Sequence, residues 1–207
     1  LGASGNRAGE SHDTDPFNRI LHHSGTVTRA SPAGTFDTIE AALADSLTVV
    51  GSTITVTLGP LAFIDQNIDW NFYSYSDTTG PTILNPNLAP MTGAAVQDSD
   101  GADNNKRGVL VNCIVARGDV SETSMDNCTI FGPGAAIPSV NWLTGRNVLI
   151  EDAYTGSNNT LTTSVGTAVA GWFLNASGYD FHLIATATAA INTGGPLNVA
   201  TDFEGDA

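Results

Sequence analysis

The hydrophobic positions follow two different periods along the chain. From Phe36 they recur at helical spacing, with Phe36, Ile39 and Leu43 on one face and Ala42 beside them. Asp37-Thr38-Ile39-Glu40 has the form of a capping box, in which the first and fourth side chains each satisfy an orphan N–H at a helix start. This spacing predicts a helix that Gly51 ends. Beyond it the period drops to two: Ile54, Val56 and Leu58 alternate with Thr53, Thr55 and Thr57, which predicts a half-buried strand over 53–58 stopped by Gly59-Pro60. Ile68, Trp70 and Phe72 repeat the alternation, and 85–105, with Pro86, Pro90 and a run of Asp and Asn, reads as loop. Residues 1–30 scatter Gly, Ser, His and Asp around one apolar knot, Phe17, Ile20 and Leu21. That stretch is either a flexible arm or an arm that docks on a neighbouring subunit.

A short repeat carries more information than any single element. Asn112-Cys113-Ile114-Val115 returns fifteen residues later as Asn127-Cys128-Thr129-Ile130, and more loosely, after twenty more, as Asn147-Val148-Leu149-Ile150. The columns Cys113/Cys128/Val148 and Val115/Ile130/Ile150 lie two residues apart and so share a strand face. Residues stacked in columns at this interval suit a parallel solenoid, in which each coil adds a strand in register, apolar columns fill the bore and Asn112, Asn127 and Asn147 bond along a turn. The repeat predicts parallel strands over 109–116, 126–131 and 147–151, with Cys113 and Cys128 neighbours in the stack. On the same alignment Arg107 falls beside Glu122, Arg117 beside Gly132, and Asp126 in the core-facing column opposite Val111, where a strand-end bulge is expected.

Three stretches carry a resemblance. Thr35-Phe36-Asp37-Thr38-Ile39-Glu40-Ala41-Ala42-Leu43 with the strand that follows, the Asn-Cys-Ile-Val repeat, and Trp172 to Asn175 with Gly178-Tyr179-Asp180-Phe181-His182-Leu183, Ala190 to Gly194 and Asp202 to Gly205 resemble secreted bacterial members of the pectin-lyase-like β-helix superfamily. The chain departs from the closing motif in having Thr188-Ala189 where Ser-Pro is usual. The resemblance implies an all-β fold, a short right-handed parallel β-helix (solenoid) with an N-terminal capping helix and an extended N-terminal arm. Its expected organisation is an arm over 1–30 and one domain over 31–207, divided into a cap (31–50), coils (51–155) and a closing segment (156–207).

Composition narrows the partners. Glycines, prolines and abundant Thr, Asn and Ser favour turns and strands. A net charge of −14 repels nucleic acid, anionic headgroups and polyuronates unless a cation bridges them, so nucleic acid is excluded as a partner. The longest apolar stretch, Val165 to Leu174, is about half of the roughly 20 residues a bilayer requires, so no membrane insertion is expected. The chain opens on Leu1 with no basic or apolar leader ahead of it, as in a processed protein. Sequons at Asn127, Asn158 and Asn175 and the scarcity of Lys fit an extracellular or cell-surface setting, a virion included.

Candidate chemistry is sparse. A polysaccharide lyase needs a cationic base, yet the seven basic residues, Arg7, Arg19, Arg29, Lys106, Arg107, Arg117 and Arg146, share no column. A glycoside hydrolase needs carboxylates at defined separation, and the adjacent Glu151 and Asp152 would point to opposite strand faces. His12, His22, His23 and His182 form no metal pattern. The ligand of choice is Ca²⁺, at the Gly-centred acidic loop that offers Asp98, Asp100, Asp103 and Asn105 as hard oxygen donors. Tyr73 and Tyr75, on the strand face opposite Trp70 and Phe72, are candidates for stacking on sugar rings; Trp142 and Trp172 read as core or cap. Cys113 and Cys128 read as free, buried thiols. The expected role is a non-catalytic structural or glycan-contacting module. The rivals are a polysaccharide lyase or hydrolase, and a subunit of an extracellular filament or virion that contacts a neighbour through residues 1–30.

Overall fold

The computed structural model describes residues 26–58, 62–70, 80–90, 93–99, 108–132, 139–151 and 154–191. Thr26–Arg29 runs antiparallel to both Gly34–Phe36 and Thr53–Thr57. The predicted strand at 53–58 is present, with Ile54 and Val56 buried. The helix is shorter than its pattern predicts, Ile39–Ala44. Its cap is Thr38, whose hydroxyl accepts the Ala41 N–H at 3.0 Å, rather than Asp37. It stops before Gly51 because Asp45 turns extended and its carboxylate accepts the Leu47 N–H at 2.8 Å, an interaction that competes with the next helical turn. Phe36 belongs to the preceding strand, half-buried against the same core.

The rest is predominantly strand, arranged in parallel sheets. The first sheet runs in the order Thr160–Thr162, Thr144–Arg146, Ser124–Asp126, Val109–Val111, Thr82–Leu84, Thr53–Thr57, Thr26–Arg29, Gly34–Phe36, parallel as far as Thr53–Thr57. The second stacks Val165–Ala168, Leu149–Glu151, Thr129–Ile130 and Ile114–Val115; the third stacks Val140–Asn141, Val120–Ser121, Val96–Gln97 and Ile68–Asp69. From Thr82 the chain visits the three in rotation, and each strand pairs with those one rotation earlier and later. The expectation of loop throughout 85–105 is therefore corrected. Leu88 bridges Ile64 and Val115, and Val96–Gln97 is a strand, single apolar residues too widely spaced to show a period.

Stacking in register turns isolated apolar residues into continuous columns. Ile54, Ile83, Leu110, Met125, Gly145 and Leu161 align in the first sheet. Val115, Ile130 and Ile150 align in the second, as the repeat predicts, and Ile68, Val96, Val120 and Val140 in the third. Apart from Gly145, they form one buried cluster with Cys113, Cys128, Val148 and Trp70, against which the half-buried Leu161 packs. Each fully buried aliphatic contributes about 1.5–3 kcal/mol relative to exposure.

The corner between the first and second sheets is made by Asn112, Asn127 and Asn147 in the left-handed region (φ 53°, 57° and 53°), a conformation Asn tolerates better than most residues. Asn85 and Thr163 (φ 58° and 49°) extend this column beyond the repeat. The Asn127 carboxamide donates to Asn112 Oδ1 at 2.7 Å, and the Thr163 hydroxyl donates to Asn147 Oδ1 at 2.6 Å. The Asn127 backbone N–H donates to the Arg146 carbonyl at 2.9 Å, so the turn is tied to the next strand as well. The left-handed residue breaks strand alternation: Met125 and Cys128, three apart, both point inward. Asp126 therefore faces outward, not into the core as the repeat alignment implies. Asn127→Ala should lose about 2 kcal/mol in urea denaturation, from left-handed strain plus the lost carboxamide bond. Asn127→Gly, free of the strain, should lose less than half of that.

Beyond the ladder, Phe173–Asn175 and Asp180–Leu183 form an antiparallel hairpin. Phe173, Tyr179 and Phe181 pack with Phe63 and Phe131 in a second cluster that includes Ile114, Ala116 and Ala168, with Phe131 and Phe173 centroids 5.0 Å apart. Trp172 is half-buried against it. Trp142 is neither core nor cap: it is 40% exposed.

Candidate functional site

The second corner, between the third and first sheets, carries the exposed indole. Glu122, Trp142 and Asn158 all take left-handed backbone there (φ 52°, 54° and 61°). For a residue as bulky as Trp that conformation is strained, and the corner's hydrogen bonds hold it. The Glu122 N–H donates to the Asn141 carbonyl, and the Trp142 N–H to the Ser157 carbonyl, each at 3.1 Å. Two carboxamides brace the chain on either side of Trp142. Asn141 donates to Ser139 Oγ at 2.7 Å and accepts the Ser157 N–H at 3.0 Å. Asn159 donates to the Val140 carbonyl at 2.8 Å and accepts the Leu143 N–H at 2.9 Å. The result is a hydrogen-bonded polar corner that carries an exposed tryptophan. Sequence spacing misses it, because Glu122, Trp142 and Asn158 share a conformation and no chemistry.

Of the residues singled out from sequence, Asp98 is buried directly after Val96–Gln97. The neighbouring Asp69 carboxylate accepts from Gln97 Nε2 and the Ser99 N–H, each at 3.2 Å. Asp100, Asp103, Asn105, Tyr73, Tyr75, Phe72, Lys106 and Arg107 lie outside the described residues, as do 1–25 and 192–207. Among the described residues no three His, Cys, Asp or Glu side chains are grouped to hold a metal ion, and no helix is long and apolar enough to cross a membrane.

Several of the charged side chains that the structure places are engaged with neighbours. Arg146 forms a two-point pair with Asp126 on the adjacent strand, Nε to Oδ1 at 2.9 Å and Nη2 to Oδ2 at 2.5 Å. Hydrogen bonding and attraction to Asp126 raise the Arg146 pKa above its ordinary value, the wrong direction for a base that must release its proton. Glu151 accepts the Gly132 N–H at 3.1 Å. Asp180 Oδ1 lies 2.5 Å from His182 Nδ1 on the exposed hairpin.

Cys113 and Cys128 are buried free thiols in the core, and Cys128 Sγ donates to the Asp126 carbonyl at 3.2 Å. Burial first, and the adjacent Cys128 thiol second, push the Cys113 pKa well up. Cys113 should therefore resist alkylation at about pH 8 in the folded protein, and burial shields Cys128 from the reagent, so both react only as fast as the protein opens. Rapid modification without unfolding would place them elsewhere.

Comparison of the chain with family models, with curated proteins and with solved structures finds no match.

Proposed function

We propose that this chain is a short right-handed parallel β-helix of the pectin-lyase-like kind, acting outside the cell or on its surface as a non-catalytic structural and glycan-contacting module. The observation that carries the proposal is Trp142, an exposed indole held at a strained turn among fixed carboxamides. A flat aromatic face takes the apolar face of a sugar ring, and neighbouring amides suit its hydroxyls. Contact through Trp142 replaces the expectation centred on Tyr73 and Tyr75 as the point to test first. The net charge of −14 favours neutral glycans over polyuronates. Catalysis is disfavoured because Arg146 is tied to Asp126, and general acid–base work needs a titratable group poised near the operating pH. Calcium at Asp98, Asp100, Asp103 and Asn105 belongs to the same proposal, with Asp100→Ala weakening a calorimetric calcium titration.

The test is a tryptophan-fluorescence titration of the whole protein with neutral and anionic polysaccharides, with calcium and after chelation, alongside assays for new reducing ends and unsaturated uronate. A neutral glycan should perturb the emission of the native chain and leave Trp142→Ala unaffected, with no turnover in either. Binding that survives Trp142→Ala removes the contact point. Turnover that disappears in Arg146→Ala replaces the module with a lyase.

A further inference from the structure

The three parallel sheets stop together at one end of the molecule. Thr160–Thr162 is the outermost strand of the first sheet, Val165–Ala168 of the second, and Thr155 bridges Ser139 at the end of the third. The opposite end is finished differently, by the antiparallel strands Thr26–Arg29 and Gly34–Phe36. Among the described residues no strand follows Thr160–Thr162 in its sheet. The Thr160 N–H donates back to the Leu143 carbonyl at 2.8 Å. By the alternation of a parallel ladder, the Leu161 N–H and C=O then point to the open side. Thr160, Thr162 and Thr163 are exposed and Leu161 is half-buried. Val165–Ala168 carries a register shift against Leu149–Glu151, so Thr160–Thr162 is the regular edge of the two.

Charge sets this end apart from the rest of the chain. From 153 to 179 there is no Asp, Glu, Lys, Arg or His, and no Pro, in a chain of net charge −14. Solvent-facing edge strands are ordinarily blunted by charges or prolines that forbid pairing. This edge has neither, which marks it as a strand meant to be covered. Two identical chains of charge −14 repel. The edge strand itself carries no charge, and the nearest charges described behind it, Arg146 beside Thr162 and Asp126 one strand further, neutralise each other, so two copies can meet there without setting like charges against each other. An antiparallel pair of identical strands centred on Leu161 obeys two-fold symmetry, with Thr160 of each copy opposite Thr162 of the other.

We infer that Thr160–Thr162 pairs antiparallel with the same strand of a second copy of this chain, joining two molecules end to end in a closed dimer. The dimer requires no glycan and is read by mass, so its failure and that of glycan contact are separable. The experiment is sedimentation velocity of the full chain across a concentration series. The native chain should be dimeric. Thr160→Lys/Thr162→Lys, which sets lysines opposite each other across the two-fold, should weaken association by at least about tenfold, since like charges directly opposite in a strand pair repel. Its circular dichroism should be unchanged. Thr160→Glu/Thr162→Glu should dissociate likewise, and mixing the two variants should restore a dimer, which a general loss of folding would not. Thr57→Lys, an exposed strand position at the other end, should leave the dimer intact. A native chain monomeric throughout, a dimer indifferent to both double variants, or no recovery on mixing overturns the inference. A monomer whose Leu161 amide exchanges slowly at every dilution assigns the edge to the chain's own residues and overturns it too.

Discussion

Arg29→Ala should lower the unfolding free energy by about 3 kcal/mol, the combined effect of stranding the buried Thr48 hydroxyl, losing the bond to the Pro32 carbonyl and removing a packed stem. Arg29 is 3% exposed. Its Nε donates to the Pro32 carbonyl at 2.7 Å, and its Nη1 reaches Thr48 Oγ1 at 2.8 Å and Asp45 Oδ1 at 2.9 Å. The guanidinium carbon lies 5.2 Å from the centre of the Phe36 ring. One side chain thus ties the first strand to the turn after it and to the chain leaving the cap helix. Asp45, a third exposed, returns to water in the variant and so adds no stranding cost. Arg29→Lys should recover only part of the loss, because an ammonium cannot reproduce the planar fork. The Leu47 N–H first, and Arg29 second, hold the Asp45 carboxyl below its ordinary pKa. A depressed carboxyl contributes stability above the unfolded value of about 3.9 and loses it as pH falls through the lower folded value. The deficit of Arg29→Ala should therefore be constant from neutral pH down to about pH 5 and shrink below about pH 4. Urea denaturation at neutral, mildly acidic and strongly acidic pH checks both. A neutral-pH deficit under about 1 kcal/mol would mean that the acceptors find water instead.

Gly108→Ala is expected to be comparably damaging, about 3 kcal/mol, through overpacking at the top of its range. A Cβ at Gly108 would fall 2.1 Å from Trp70 Cζ3 and 2.2 Å from Cη2. Trp70 is fully buried, so its ring can make way only by displacing packed neighbours. Nor does the backbone yield easily, since the Gly108 carbonyl accepts the Ser124 N–H at 3.1 Å from the next strand. Trp70→Leu makes room for the methyl, so the double variant should lose less than the sum of the two single losses. A double-mutant cycle by chemical denaturation measures this coupling, and strict additivity would show that the indole does not cover Gly108.

Strand periodicity and the Asn column were legible in the sequence because both depend on neighbours a fixed distance away. Ile54 and Val56 announce their strand by alternation, and Asn112, Asn127 and Asn147 announce their corner by identity. What the sequence hid depends on partners a whole rotation away. Val96 joins the column of Ile68, Val120 and Val140 only through register, and nothing adjacent to it marks it as core. Asp126 was misplaced because alternation was carried through a left-handed residue that cancels it. The end of the helix was missed because an Asp45 side chain outcompetes an apolar pattern that carries on past it. Less of the candidate site was readable. Trp142 looked like core because a large aromatic usually is, and its corner has no residue type in common from rung to rung.

The column of Asn85, Asn112, Asn127, Asn147 and Thr163 also fixes what is free to vary. Successive members are separated by 27, 15, 20 and 16 residues, yet each holds the same left-handed backbone. Registry is set at the corners and along the apolar columns, so the length of chain between them is not part of the specification. A lineage built on such a skeleton inherits two sets of positions that drift at different rates. Residues in the columns are bound by their neighbours above and below, while connecting segments are at liberty to lengthen, shorten or change character. New recognition surfaces arise in this architecture by insertion, one connection at a time, without the hydrophobic interior having to be reinvented.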